Sequence, residues 1–221
     1  MNERSPEALA RYYGSRLLAH GDTAIGAGWP NEADRLKRFG VMAGLAPWGL
    51  ADSSLCDIAC GTGAFLTHLK AVGAAPADYL GIDICPDAID RARAKFPQAR
   101  FECRDLLAGP GPSLPAPVDY VVINGLFTVR AALDEATMWE FLDAMLTRLW
   151  PSTRRGLAFN VMSNVVDWRR DDLFHVSMDH LASRLFALAG RRVVFRNDYD
   201  LYEYTVYVYR SPVQDRCPRR G

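Results

Sequence analysis

The stretch that most limits what this chain can fold into is Leu55-Cys56-Asp57-Ile58-Ala59-Cys60-Gly61-Thr62-Gly63, an apolar run that ends in an acid and then in a turn of small residues. The residues up to Asp57 suit a parallel strand buried on both faces, and Ala64-Phe65-Leu66-Thr67-His68-Leu69-Lys70 reads as the helix that follows. A strand-to-helix turn points free backbone N–H groups outward. Ala59, Gly61 and Gly63 keep bulk away where a ligand has to approach the main chain. A second acid, Asp83, ends Tyr79-Leu80-Gly81-Ile82-Asp83-Ile84, which reads as the next parallel strand. There a carboxylate can grip a ribose diol.

This spacing serves nicotinamide dinucleotides and S-adenosylmethionine (SAM) alike, and the small residues help to separate them. A G-x-G-x-x-G fingerprint begun at Gly61 needs a small residue where Leu66 stands, whereas one begun at Ala59 ends acceptably on Ala64. Asp57 then arbitrates: a carboxylate facing the turn repels a pyrophosphate but suits the ammonium of the methionine moiety. A strand-helix joint that merely packs well is the plainer alternative.

The 221 residues, 49% hydrophobic and 24% charged, suffice for one domain with a substantial core. Lys plus Arg equals Asp plus Glu at 26 each, so no basic surplus advertises nucleic acid. Cys56, Cys60, Cys85 and Cys103 fall in or beside strands, where thiols act as small buried hydrophobes, and Cys217 lies in a polar tail. Cys56-x-x-x-Cys60 lacks a partner pair at zinc spacing, so no metal is expected. The start, Met1 to Pro6, has no apolar signal core and no run approaches a membrane span, which leads us to expect a cytoplasmic protein.

One domain spanning 1–221 is expected, with an N-terminal helical cap over 1–50, a core over 51–210 and a tail over 211–221. Ser5 suits the N-cap of a helix over 6–20, and Asn31 caps a second helix carrying Leu36, Phe39 and Ala43. Neither has a sheet position, so they either cover the cofactor's open face or pack plainly on the sheet. Strands three to five are read at Ala99–Cys103, Val118–Ile123 and Gly156–Val161. Asp134 caps a helix marked by Met138, Phe141, Leu142, Met145, Leu146 and Leu149, whose methionines read as core. Ser163 to His175 reads as irregular, and Ser177 caps the last helix. Arg192–Arg196 and Glu203–Tyr209 form a closing antiparallel pair.

Strands ending at Asp57, Asp83 and Asp105, a fourth ending Ile123-Asn124-Gly125, and the closing hairpin resemble the class I SAM-dependent methyltransferases. The likeness covers residues 53–209, with Ala59 in place of the more usual glycine. It implies a Rossmann-like, doubly wound α/β sheet of seven strands in the order 3-2-1-4-5-7-6, with strand seven antiparallel. Tyr12-Tyr13, His20-Gly21, Trp29, Gly125-Leu126-Phe127, Ala158-Phe159-Asn160 and Asp198 to Thr205 further resemble a bacterial group of such enzymes without an assigned substrate. Carried over residue by residue, the resemblance implies that Ala59, Cys60, Gly61 and Gly63 line the methionine part of SAM, with Asp57 near its ammonium. Asp83 holds the ribose and Ile84 lies against the adenine. Asp105 with the Leu106 N–H reads the adenine edge, and Asn124 offers its backbone carbonyl to the ammonium.

The expected reaction is in-line attack by an acceptor oxygen or nitrogen on the SAM methyl, with the protein aligning and desolvating the pair. A small-molecule acceptor is expected, independently of metal, with no nucleic acid or membrane partner; a homo-oligomer is compatible with this reading. Candidates for a catalytic base or orienting group are Tyr12, Tyr13, His20, Asn160 and His175, whose elements lead toward the carboxyl edge of the sheet. Asp198, Tyr199 and Tyr202 are candidates to line the entrance. Arg38 is read either as a partner of the SAM carboxylate or, with more weight, as part of a solvated helix face. An NAD(P)-dependent oxidoreductase and a non-catalytic SAM-binding protein remain as alternatives.

Overall fold

Two helices, α1 (Ser5–His20) and α2 (Glu32–Ala43), precede β1 (Ser54–Ile58), and from there strands and helices alternate. They run α3 (Ala64–Ala71), β2 (Asp78–Asp83), α4 (Pro86–Lys95), β3 (Arg100–Cys103), β4 (Val118–Phe127), α5 (Glu135–Leu149) and β5 (Thr153–Ser163). After these come β6 (His175–Val176), α6 (Met178–Ala189), β7 (Val193–Arg196) and β8 (Glu203–Tyr209). The computed structural model describes residues 5–210 apart from Pro112, and the side chain of Ser5 is also outside the described set. The expected tail over 211–221 and Cys217 therefore lie outside the described residues.

The sheet order is β3-β2-β1-β4-β5-β8-β7, with β6 paired to β5 off this path. Strands β1 to β5 are parallel, while β8 is antiparallel to both β5 and β7. The expected order of seven strands is thus present, and the two-residue β6 is added to it. Sequence pattern left β6 unseen because two residues carry no period. Parallel pairing of His175 and Val176 with Met162 and Ser163 makes it a strand.

Successive strand residues face opposite sides, which splits the interior into two cores. Cys56, Ile58, Val121, Ile123, Leu157 and Phe159 pack with α5 and α6. Leu55, Tyr120, Val122, Ala158, Tyr207 and Tyr209 pack with α2, α3 and α4. Asn31 Oδ1 accepts the Asp34 N–H at 2.8 Å and Asp134 Oδ1 the Thr137 N–H at 2.7 Å, so both expected caps are made. Ser5 is itself helical, so it is not the cap of α1.

The pair that precedes β1 straddles the sheet. Leu9 of α1 belongs to the α5 side, whereas Phe39, Val41 and Met42 of α2 belong to the opposite core. The hydroxyls of Tyr207 and Tyr209 fasten α2 by donating to the carbonyls of Val41 and Leu45. Residues 21–31 cross between the two helices. Strand four runs beyond the expected Ile123 to Phe127, through a register irregularity at Gly125, whose φ is +91°. A side chain at Gly125 would meet the Trp29 indole 2.6 Å from its Cβ, so the crossing segment rests directly on this glycine. Cys103 is exposed, correcting its expected place in the core: it ends an edge strand with one face open to water.

Candidate functional site

A pocket opens at the carboxyl edge of β1, β2 and β4, roofed by α1 and the crossing segment. It is lined by Asp57, Ala59, Cys60, Gly61, Asp83, Ile84, Asp105, Leu106 and Asn124, so one cavity gathers all but one of the expected cofactor residues. Gly63 does not line it. It is the residue before α3, with φ +77° and the Phe96 ring 3.1 Å from where a Cβ would stand. Ala59 holds the left-handed conformation at φ +56°, a strained one for alanine, and this explains why glycine is the easier residue there.

The three acids have distinct environments. Asp57 is buried and accepts the Tyr79 hydroxyl at 2.7 Å. Loss of water raises its pKa to about 7; the Tyr79 bond opposes the rise and the Asp83 charge adds to it. Asp83 ties the turn together: Oδ2 accepts the Gly61 N–H at 2.8 Å and Oδ1 the Cys85 N–H at 2.9 Å. Burial raises its pKa while those N–H groups hold the rise back. Asp105 Oδ1 accepts the Leu107 N–H at 2.9 Å.

Two residues at this pocket, Arg35 and Asp22, were not anticipated. Arg35 of α2 donates Nε and Nη2 to Glu32 Oε1, one turn away on the same helix, while its Nη1 is buried in the pocket wall without a partner. Asn124 Oδ1 is likewise buried and unpartnered. Asp22, on the crossing segment, accepts from Thr62 in the glycine turn and from Lys95 of α4. Burial works against its charge, but Lys95 and Thr62 hold its carboxyl below the usual range. In the sequence Arg35 looks like half of a surface helix pair and Asp22 like a loop acid, so nothing short-range marks either as facing a ligand.

The candidate catalytic residues separate. Tyr13 lines the pocket and donates its hydroxyl to the Gly125 carbonyl at 3.0 Å; burial raises its pKa, which keeps it a donor. Tyr12 packs edge-on against Tyr13 but does not line the pocket, and His20 is exposed at the end of α1. Asn160 is buried outside the lining, with Oδ1 accepting the Gly125 N–H at 2.7 Å and Nδ2 donating to Glu203 at 3.0 Å. His175 lines a second cleft.

Asp198 pairs with Arg196, Tyr199 is buried against Thr205, and Tyr202 packs on Trp168, so the structure does not bring these three to this pocket. Arg38 is neither solvated nor turned to the pocket. It is 6% exposed, its Nε lies 2.9 Å from both oxygens of buried Glu203, and its guanidinium covers the Trp29 ring at 4.4 Å. Both readings of Arg38 are corrected by a partner 165 positions away. Among the described residues no group of three metal-ligating side chains forms, and no helix is long and apolar enough to cross a membrane.

A doubly wound sheet with a small-residue turn after its first strand and acids at the next strand ends defines a nucleotide-cofactor protein of the α/β class. Comparison with known proteins narrows this. A family model described as a methyltransferase domain matches residues 55–151. A protein of Mycobacterium tuberculosis named "Putative methyltransferase Rv1506c" is 32% identical over 164 residues, covering 72% of this chain and 93% of that protein. Among solved structures, the magnesium protoporphyrin IX methyltransferase of Synechocystis PCC 6803 with bound SAM aligns at a TM-score of 0.67 and 16% identity, covering 95% and 99% of the two chains. The plantazolicin methyltransferase BpumL, in complex with a pentazolic desmethylPZN analog and S-adenosylhomocysteine (SAH), aligns at 0.61 and 14%, covering 92% and 95%. The chain belongs to the class I SAM-dependent methyltransferases, and SAM is its methyl donor. The oxidoreductase alternative gives way to that membership.

Proposed function

We propose that this methyltransferase passes the methyl group to an oxygen or nitrogen of a small-molecule acceptor, without metal, in the cytoplasm. The observation that carries our reading of the site is the pair of buried, unpartnered atoms in the pocket wall, Arg35 Nη1 and Asn124 Oδ1. One is a cationic donor and the other an acceptor, matching the carboxylate and ammonium of an amino acid. In this reading Asp57 and Asn124 hold the ammonium, Arg35 the carboxylate and Asp83 the ribose, while Ile84, Asp105 and Leu106 flank the adenine. When bound, SAM supplies an activated methyl on a sulfonium leaving group. The chain's own residues align the acceptor and exclude water, using Leu17, Trp29 and Leu126 as apolar wall. Tyr13, which stays protonated, fixes Gly125 and donates rather than removing a proton.

Calorimetric titration with SAH tests this reading. Arg35→Gln is expected to weaken SAH about tenfold, the loss of one charge-assisted bond, and to leave 5′-methylthioadenosine, which has no carboxylate, unchanged. Equal losses for both ligands would remove Arg35 from the carboxylate.

Asp57 adds a pH dependence. Its carboxyl is protonated below about pH 7 in the free protein, and an arriving ammonium favours the carboxylate, so binding then has to expel a proton. SAH affinity is expected to fall by up to about tenfold per pH unit below 7 and to level off above it. Asp57→Asn should bind more weakly with a flat profile; a wild-type profile equally flat from pH 5.5 to 8 would overturn the assignment. Folding carries its own sign: burying the charged form costs stability above pH 7, and that cost fades as pH falls toward 3.8.

A further inference from the structure

A second cleft, sharing no lining residue with the cofactor pocket, opens between the amino ends of α5 and α6 and the excursion that joins β5 to β6. Trp139 and Phe174 make its buried floor, with ring centroids 5.1 Å apart. Its walls supply mostly hydrogen-bond donors. Arg130 donates to the Leu133 carbonyl at 3.1 Å and Arg169 to the Asn164 carbonyl at 3.3 Å, and among the described residues neither forms an ion pair with a carboxylate.

Arg170, by contrast, is spent on both oxygens of Asp172. His180 Nε2 accepts from Arg184 at 3.1 Å, so a neutral His180 ring carries its proton on Nδ1 as a donor. His175 Nδ1 donates to the Ser163 carbonyl at 2.8 Å, which leaves its Nε2 buried with no partner. With the proton of a neutral ring on Nδ1, that Nε2 is a lone-pair acceptor, which a ligand satisfies with a proton, such as the hydroxyl of a monoprotonated phosphate, and not with its charge. The acids of the cleft, Glu135 and Asp171, are exposed at its rim, where water screens them.

We propose that this cleft binds the carboxylate or phosphate group of a small anion, through Arg130 and Arg169 over the aromatic floor. Arg169 is exposed and Arg130 half-buried, so an anion there is held by charge-assisted bonds to the two guanidinium groups, and the nearby charges of Asp134 and Asp172 weaken the pull of Arg130. The site also lies close to the reaction. The Phe174 N–H donates to the Thr128 carbonyl at 2.9 Å and the Thr128 hydroxyl to the Gly125 carbonyl at 2.8 Å. Thr128 therefore links Phe174 in the cleft floor to Gly125 at the edge of the cofactor pocket through two hydrogen bonds. The anion has two sources, a free ion or the charged arm of the acceptor itself, and only the second rests on the proposed acceptor chemistry.

Heteronuclear NMR of the SAH-loaded protein, titrated with inorganic phosphate at constant ionic strength, tests the site. Saturable shifts are expected at the Arg130 and Arg169 side chains and at the amides from Ser177 to His180, with at least a tenfold weakening in Arg130→Gln/Arg169→Gln. The single variant Arg169→Gln, at an exposed position, should bind at least threefold more weakly and keeps the test usable if the double variant does not fold. Shifts that never saturate, or unchanged affinity in folded Arg169→Gln, overturn the proposal. Retained SAH binding alongside absent phosphate binding would sink this cleft and leave methyl transfer standing. Label transfer from SAM to hydroxylated acceptors, each supplied as acid and as amide, separates the sources. Phosphate competition confined to the acids identifies the acceptor's arm, and saturable phosphate binding without competition identifies a free ion.

Discussion

Replacing Asp83 by alanine is expected to reduce SAH affinity by at least about 100-fold in a calorimetric titration. Two ribose hydroxyls meeting a buried carboxylate give two charge-assisted bonds of about 1.5–3 kcal/mol each, and 3 kcal/mol is already more than two decades in the dissociation constant. The same carboxylate holds the N–H groups of Gly61 and Cys85, so its removal also frees the turn proposed to meet the cofactor. Asp83→Asn keeps an acceptor oxygen but not the charge and should fall between the two. Circular dichroism distinguishes lost binding from lost fold. Binding of folded Asp83→Ala within threefold of the parent would remove the ribose from Asp83 altogether.

Glu203→Ala should produce the largest stability loss of any surface-distant single change considered for this chain. The carboxylate is 2% exposed and takes bonds from Arg38 and Asn160, so alanine leaves a buried guanidinium and a buried amide unpaired. Breaking such a pair from one side costs about 3–5 kcal/mol. In a domain of this size that lowers the midpoint of thermal unfolding by roughly 10 °C. Arg38→Met/Glu203→Leu, which removes both charges, should recover much of the loss because no charge stays behind. A midpoint for Glu203→Ala within 2 °C of the parent would mean that water reaches Arg38.

The contrast between these residues explains what the sequence makes legible. Asp57 and Asp83 announce themselves because a buried parallel strand, a small-residue turn and a helix follow one another within a few positions, and each has a short-range pattern. The strand order follows from the same alternation, with a closing hairpin too tightly joined to be parallel. Arg38 and Glu203 have no local mark. One sits on a helix and the other begins a strand, and only the completed sheet brings them together.

Arg35 is hidden differently. Its pairing with Glu32 is what any exposed helix shows, and the buried Nη1 emerges only once the pocket roof is in place. Gly125 reads as the end of a strand, yet β4 continues past it by absorbing the glycine as an irregularity. Likewise the excursion after β5 carries too many charges to suggest structure. It is held by the Val129–Leu173 bridge and the pairing of β6, neither of which has a sequence period.

The crossing segment from Gly21 to Asn31 is anchored at both ends and in the middle. Its two helices are embedded in opposite cores, Asp22 is fastened to Thr62 and Lys95, and Trp29 is clamped between Arg38 and Gly125. A strap fixed in this way has no free edge to lift as a flap. For a ligand that passes beneath this strap, entry and exit would require these fastenings to give way together, tying exchange to a partial loosening of the fold. Its residence time would then be set by the strap's own cohesion as well as by its contacts with the ligand.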